Sequence, residues 1–189
     1  MIFCLFLNNV NLSVQRQFLL TKIVSLSLVD LLGKWGVSAK IKWPNDIYAQ
    51  SKKLAGVLIE VEGSLEAGCD CVIGIGLNIA LPDKVKDICQ PWIDLASLSK
   101  TTPDRNLLAA KLIEQLYTSL VAFEQQGLTP FVDSWRAIDE YKEQKIKLIM
   151  GQQTIEGVGK GIDNTGALLL QTEKGIQAYH GGEISVRPV

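Results

Sequence analysis

Apolar residues recur along this chain with two different periods, and the switches between them divide it into elements. Residues 2–7 form an apolar run of strand length, read as a buried strand. Asn8, Asn9 and Asn11 punctuate the chain, and Ser13 stands where a helix N-cap belongs. Phe18, Leu19, Ile23, Leu28, Leu31 and Leu32 then follow helical spacing, with Gly33 and Gly36 bracketing the end. Three β-type runs come next, at 39–43, 47–50 and 54–61. Turn chemistry at Pro44-Asn45-Asp46 and at Ser51-Lys52-Lys53 separates them, which predicts antiparallel hairpins. A further strand over 71–80 carries Gly74 and Gly76, where backbone must approach something closely.

Residues 81–100 read as a loop-rich crossing with Pro82, Pro91 and Trp92. Thr102-Pro103 predicts an N-cap with proline at the first helical position. Leu107, Leu108, Leu112, Leu116 and Leu120 give that helix a wide apolar stripe, closed by Gly127. A second helix is expected over 130–141, with Phe131, Trp135 and Ile138 packing on one side. After residue 141 the period changes to short β runs at 145–150, 153–158, 167–172 and 176–180. Such spacing predicts a small barrel on an α+β domain, with the division at 1–141 and 142–189.

Composition narrows the class. The chain has 189 residues, 47% hydrophobic and 21% charged, with a net charge of −1. That is a globular composition, and no global field recruits nucleic acid. Any phosphate ligand must be met by locally placed cations and backbone N–H groups. Cys4, Cys69, Cys71 and Cys89 form no CxxC pair, and with His180 as the single histidine no zinc set is expected. Reduced thiols favour the cytoplasm. Residues 1–7 lack the basic flank of a signal peptide, and Lys22 and Asp30 interrupt the apolar stretch 18–32, so no membrane span is expected.

Candidate chemistry concentrates in Lys42-Trp43-Pro44-Asn45-Asp46 and Lys52-Lys53-Leu54-Ala55-Gly56. Two cations, a carboxylate, an amide and a rigid turn suit a polyanionic, carboxylate-bearing ligand. Lys53 is either a ligand-facing cation or a solvated turn lysine. Lys42 faces either solvent or the ligand. Asp46 is a base, an Asx-turn residue, or both, and Asn45 is foremost a turn former whose amide can also bond the ligand. Gly56, Gly74 and Gly76 admit a ligand or mark a bulge or tight strand packing. Trp43 and Trp135 read as core.

These two segments resemble the central motif of biotin protein ligases. Val72-Ile73-Gly74-Ile75-Gly76-Leu77-Asn78-Ile79, Gly161-Ile162-Asp163 with Gly166-Ala167-Leu168-Leu169-Leu170, and Gly181-Gly182-Glu183-Ile184-Ser185-Val186-Arg187 resemble later family segments in the same order. The resemblance implies a class II synthetase-like catalytic core, with a mixed or antiparallel sheet and helices, and a C-terminal Src-homology-3-like small β-barrel. It implies ATP-dependent attachment of biotin to a lysine of a biotin carboxyl carrier protein domain. Biotin's carboxylate attacks the α-phosphorus of ATP, pyrophosphate leaves, and the carrier lysine then attacks biotinyl-AMP. ATP, Mg2+ and biotin are the implied ligands, and a homodimer is compatible with it. Lys53 matches the family's catalytic lysine. Asn78 is placed near the triphosphate and metal, Trp92 over the adenine, and Arg187 with Glu183 across the nucleotide site or in an interdomain salt bridge.

The family's arginine- and glycine-rich loop and its upstream Ser/Thr-Asn segment have no counterpart here, so the chain is expected to lack the N-terminal part of the catalytic domain. No helix-turn-helix is present either, so no DNA role is expected. Two alternatives stay open: a catalytically incompetent fragment that keeps fold and partner binding, and a lipoate–protein ligase.

Overall fold

Two antiparallel five-stranded sheets share one continuous apolar core. The computed structural model describes residues 1–10, 14–64, 68–82, 90–99, 103–181 and 184–189. Ser13, Thr102, Cys89 and Glu183 lie outside the described residues. No helix among them is long and apolar enough to cross a membrane.

The first sheet contains β1 (Ile2–Val10), β2 (Lys40–Lys42), β3 (Asp46–Ala49), β4 (Lys52–Ser64) and β5 (Gly68–Leu77), in the order β1-β5-β4-β3-β2. Helix α1 (Val14–Lys34) buries Leu20, Ile23, Val24, Leu28, Leu31 and Leu32 and touches β4, β2 and β3. Each such side chain contributes about 1.5–3 kcal/mol on burial. Phe18, expected on that stripe, is instead exposed. Strand β1 lies at the sheet edge, so its side chains alternate: Ile2 is 84% and Phe6 57% exposed. The fully buried strand expected at 2–7 is corrected by this position, because one face of the sheet is open there.

Helix α3 (Arg105–Gln126) packs on α1 and buries Leu108, Leu112, Leu116 and Phe123. Its cap is Asp104, whose carboxylate accepts from the N–H groups of Asn106 and Leu107. Pro103 therefore stands before the cap rather than at the first helical position. A single turn, α2 (Leu95–Leu98), lies within the loop-rich crossing; Asp94 caps it. The helix expected over 130–141 splits into a 3-10 turn, Thr129–Phe131, and a short α4 (Val132–Ala137). It stops because the chain turns to run beside β2: the Ile41 N–H donates to Ile138 O and the Glu140 N–H donates to Ile41 O. Trp135 is fully buried, as core.

The second sheet holds β6 (Lys145–Met150), β7 (Gln153–Ile162), β8 (Leu168–Thr172), β9 (Gly175–Tyr179) and β10 (Ile184–Pro188), in the order β10-β6-β7-β8-β9. This is the small Src-homology-3-like barrel, and the α+β class holds. Strand β7 outruns its apolar pattern because glycines carry it through a crowded crossing. A Cβ on Gly157 would come within 2.5 Å of Gln171 O, and one on Gly159 within 2.7 Å of Tyr141 O. The Arg136 Nε–H donates to Ile162 O at 2.7 Å, and the Trp43 indole N–H donates to Gly166 O at 3.2 Å, tying α4 and the β2–β3 corner to β7 and the β7–β8 loop.

Candidate active site

The register of the first sheet lines up one row across all five strands. Ile2 faces Gly76, Gly76 faces Gly56, Gly56 faces Asp46, and Asp46 faces Lys42. Directly paired residues project on the same face. Their neighbours Ile41, Ile47, Val57 and Ile75 are buried on the other face. The row therefore occupies the open face, with two glycines at its centre.

Lys53 joins this row through an irregularity. Asp46 pairs with Gly56, but Tyr48 pairs with Lys53, because Leu54 is an extra residue between Ile47 and Tyr48's partners. Without the bulge, Lys53 and Gly56, three apart, would lie on opposite faces. With it, Lys53 Nζ reaches Asp46 Oδ1 at 2.5 Å, while Lys42 Nζ lies 3.4 Å from Asp46 Oδ2. The pair passes directly over Gly56, where a Cβ would sit 3.4 Å from Lys53 Nζ and 3.5 Å from Asp46 Oδ1. At Gly76 a Cβ would meet nothing closer than 4.0 Å, so packing does not demand glycine there. The missing side chains keep space open.

That space is a hollow of about 440 Å³ over Ile2, Cys4, Gly56, Leu58, Gly74 and Gly76, with Asp46 and Lys53 lining it too. A second hollow, about 460 Å³, is lined by Lys42, Gln90 and, from β10, Ser185 and Arg187. The two share Asn45, Asp46 and Lys53. A shallow hollow of about 540 Å³ beside α1 is larger, but its lining offers only Asp30 and Lys34 as charges and no paired trio.

Lys42, Asp46 and Lys53 carry one surplus positive charge, and their side chains are 6%, 14% and 29% exposed. Burial pulls the Lys42 pKa below the usual lysine range; Asp46 opposes this, while the charges of Arg187 and Lys53 add to it. The Tyr48 ring lies 5.2 Å from Lys42 Nζ. Its hydroxyl is pushed up to about 12, by burial first and then by Asp46.

Other residues singled out from the sequence have different placements. The Asn45 side-chain amide donates to Val57 O at 2.9 Å, and the Val57 N–H donates to Asn45 O at 2.9 Å, so Asn45 clamps the turn to β4. The Asn78 amide donates to Lys53 O at 3.3 Å and to Ile93 O at 3.1 Å, bracing the start of β4 from the side. Trp92 forms a bridge beside Lys53, whose N–H donates to Pro91 O and whose carbonyl accepts from Ile93 N–H. Neither Asn78 nor Trp92 lines the two hollows. Lys52 and Lys53 belong to β4 and not to the turn, which sits at Gln50 and Ser51 with φ of 50° and 55°. Among the described residues no group of three or more His, Cys, Asp or Glu could hold a metal ion.

Sequence reasoning used Lys22 only to exclude a membrane span and did not place it at the site. It is 3% exposed, and its Nζ donates to Pro44 O at 2.9 Å, directly beneath the turn that carries Asp46. A lysine amid an apolar helical stripe was the signal that could have found it.

Residues 1–78 match the Biotin/lipoate A/B protein ligase family, and residues 143–187 match the biotin protein ligase C-terminal domain. The bifunctional ligase/repressor BirA of Salmonella typhimurium is 41% identical over 170 residues, covering 89% of this chain and 53% of that protein. The biotin–[acetyl-CoA-carboxylase] ligase of Paracoccus denitrificans is 29% identical over 171 residues, covering 87% of this chain and 71% of that protein. The chain thus spans about half the length of the bifunctional relatives it matches. Among solved structures, the Aquifex aeolicus biotin protein ligase in complex with biotin and ATP superposes with a TM-score of 0.88 at 26% identity, covering 100% of this chain and 78% of that one. The two family matches take in the charged trio, the glycine floor and the barrel that faces them, and the chain belongs to the biotin protein ligase family.

Proposed function

We propose that this chain carries the acyl-adenylate chemistry of a biotin–protein ligase, with biotin lying over the glycine floor and the nucleotide in the hollow between the first sheet and β10. The observation that carries it is the Lys42–Asp46–Lys53 trio where the two hollows meet. An apolar trench fits the acid's ring and tail, and the surplus positive charge fits the phosphate it must attack. The solved Aquifex aeolicus relative contains both biotin and ATP. In this division residues 1–141 supply the chemistry and residues 142–189 supply Arg187 from above.

In the first step a carboxylate oxygen of biotin attacks the α-phosphorus of ATP, and pyrophosphate leaves with its bonding pair. Lys53 turns from Asp46 toward the phosphate oxygens as they gain charge, and Lys42 stays to hold Asp46. In the second step the amine of a carrier lysine attacks the acyl carbon of biotinyl-AMP. AMP leaves, and Asp46, now relieved of one cation, accepts the amine's proton. The protein's described donors do not fit a resident Mg2+, since Asp46 is already taken by two lysines; no step is assigned to a protein-held metal. Cys4, Cys69 and Cys71 are reduced thiols, which suits a reducing compartment, so we place the reaction in the cytoplasm.

Biotin-dependent exchange of labelled pyrophosphate into ATP by residues 1–189 tests the first step, and transfer of biotin to a carrier domain tests the second. Exchange that depends on lipoate instead of biotin would reassign the acid. Biotin binding without exchange would replace the ligase by a binding protein.

A further inference from the structure

Lys22 lies on the buried side of α1, near Leu20, Ile23 and Leu26 in sequence, which are themselves buried. Taking an ammonium out of water is costly, and burial draws its pKa down to about 7. A leucine or methionine would fill the same volume without that cost. What the lysine gains is one hydrogen bond, to Pro44 O, and a position 5.4 Å from the centre of the Trp43 ring. Both partners belong to the corner that leads into Asn45 and Asp46. Trp43 in turn donates to Gly166 O in the β7–β8 loop. Gly166 has φ of +74°, and a Cβ there would stand 3.1 Å from Leu19 Cδ2 and 3.6 Å from Lys22 Cγ. Helix α1, the site turn and the barrel loop therefore meet at one polar point.

We propose that Lys22 is a positioning residue for the ligase reaction: it pins the Trp43–Pro44 corner against the β7–β8 loop and thereby fixes Asp46 relative to Arg187. This rests on the ligase assignment made above. A side chain that destabilises the folded chain where it sits, and whose one hydrogen bond goes to the site turn, is spent on geometry. The turn needs such a pin because small displacements of reacting groups cost large factors in rate.

The test compares Lys22→Met and Lys22→Arg in the 189-residue chain. In Lys22→Met, stability to denaturant near neutral pH is expected to stay level or rise. Meanwhile the Trp43 indole N–H resonance shifts, and the Val57 amide, which donates to Asn45 O, exchanges about tenfold faster or more. In turnover, kcat for pyrophosphate exchange falls about tenfold while KM for biotin stays within about twofold. Lys22→Arg, which keeps a donor, restores both the resonance and most of kcat. Three results overturn the proposal: a folded Lys22→Met chain with unchanged Trp43 and Val57 signals, a Lys22→Met chain that is destabilised or fails to fold, or a loss of kcat that arginine does not recover. If the wild-type chain shows no exchange, the ligase assignment falls on its own, and the resonance and amide measurements still decide whether Lys22 pins the corner.

Discussion

Asp46 meets two ammonium groups with one carboxylate, so the trio is already biased toward an anion before Arg187 is counted. A lysine about 4 Å from a phosphate oxygen gains roughly 4 kcal/mol at an effective dielectric of 20. Lys53→Met should therefore slow pyrophosphate exchange by up to about a thousandfold while leaving biotin affinity, read by calorimetry, within a few-fold. Gly76 offers the converse case. Its Cβ space is open, so Gly76→Val should keep or raise the thermal midpoint and weaken biotin binding about tenfold or more by filling the trench. A third expectation concerns Lys22, which titrates at 10.5 unfolded and about 7 folded. Between those values the unfolded chain binds a proton that the folded chain does not, so this group makes stability rise with pH, by up to about 1.4 kcal/mol per unit. The gap between Lys22→Met and wild type in denaturant titrations should be largest and flat below about pH 7, where both states hold the proton, and should shrink as pH rises toward 10.5. A constant gap would refute that titration.

Hairpins and helices show which elements could be read ahead of the structure. Helices α1 and α3 were legible because Leu28, Leu31 and Leu32, or Leu108, Leu112 and Leu116, repeat at helical spacing and are buried where they repeat. Strand β10 was not, because a short run with Val186 as its single buried residue has no period to detect. The β3–β4 turn was misplaced because Gln50 and Ser51 adopt positive φ without being glycine or asparagine. Replacing Gln50 by Asn, which leaves the Ser51 Oγ–H···Glu140 Oε1 hydrogen bond in place, should stabilise the hairpin by about 0.5–1 kcal/mol, measured as a higher denaturant midpoint with an unchanged slope. The residue types of the site were visible in the motif, and so was the pairing of Lys42 with Asp46 across a short turn. What stayed hidden was backbone routing. The bulge at Leu54 decides where Lys53 points, and a parallel bridge at Trp92 turns Asn78 into a brace for β4.

Across the molecule, the described residues of the first sheet present an open face that ends at the edge strand β1. Ile2, Phe6 and Leu58 are 84%, 57% and 59% exposed, and Ile2 and Phe6 lie on the edge strand. Such an edge invites strand pairing between copies. Phe6→Lys should lower concentration-dependent association in sedimentation or light scattering and leave the far-ultraviolet dichroism unchanged; equal association in both chains would exonerate the edge. The two sheets, in contrast, are not independent. Ile146, Leu148, Leu168 and Val186 belong to the same buried cluster as Ile41, Trp43 and Leu54. Heating should accordingly give a single calorimetric transition, with biotin raising the one midpoint. Anyone who severs this polypeptide near residue 142, to build a split reporter or to graft the barrel elsewhere, should find neither half self-supporting, because the cut would pass through shared oil rather than along a linker.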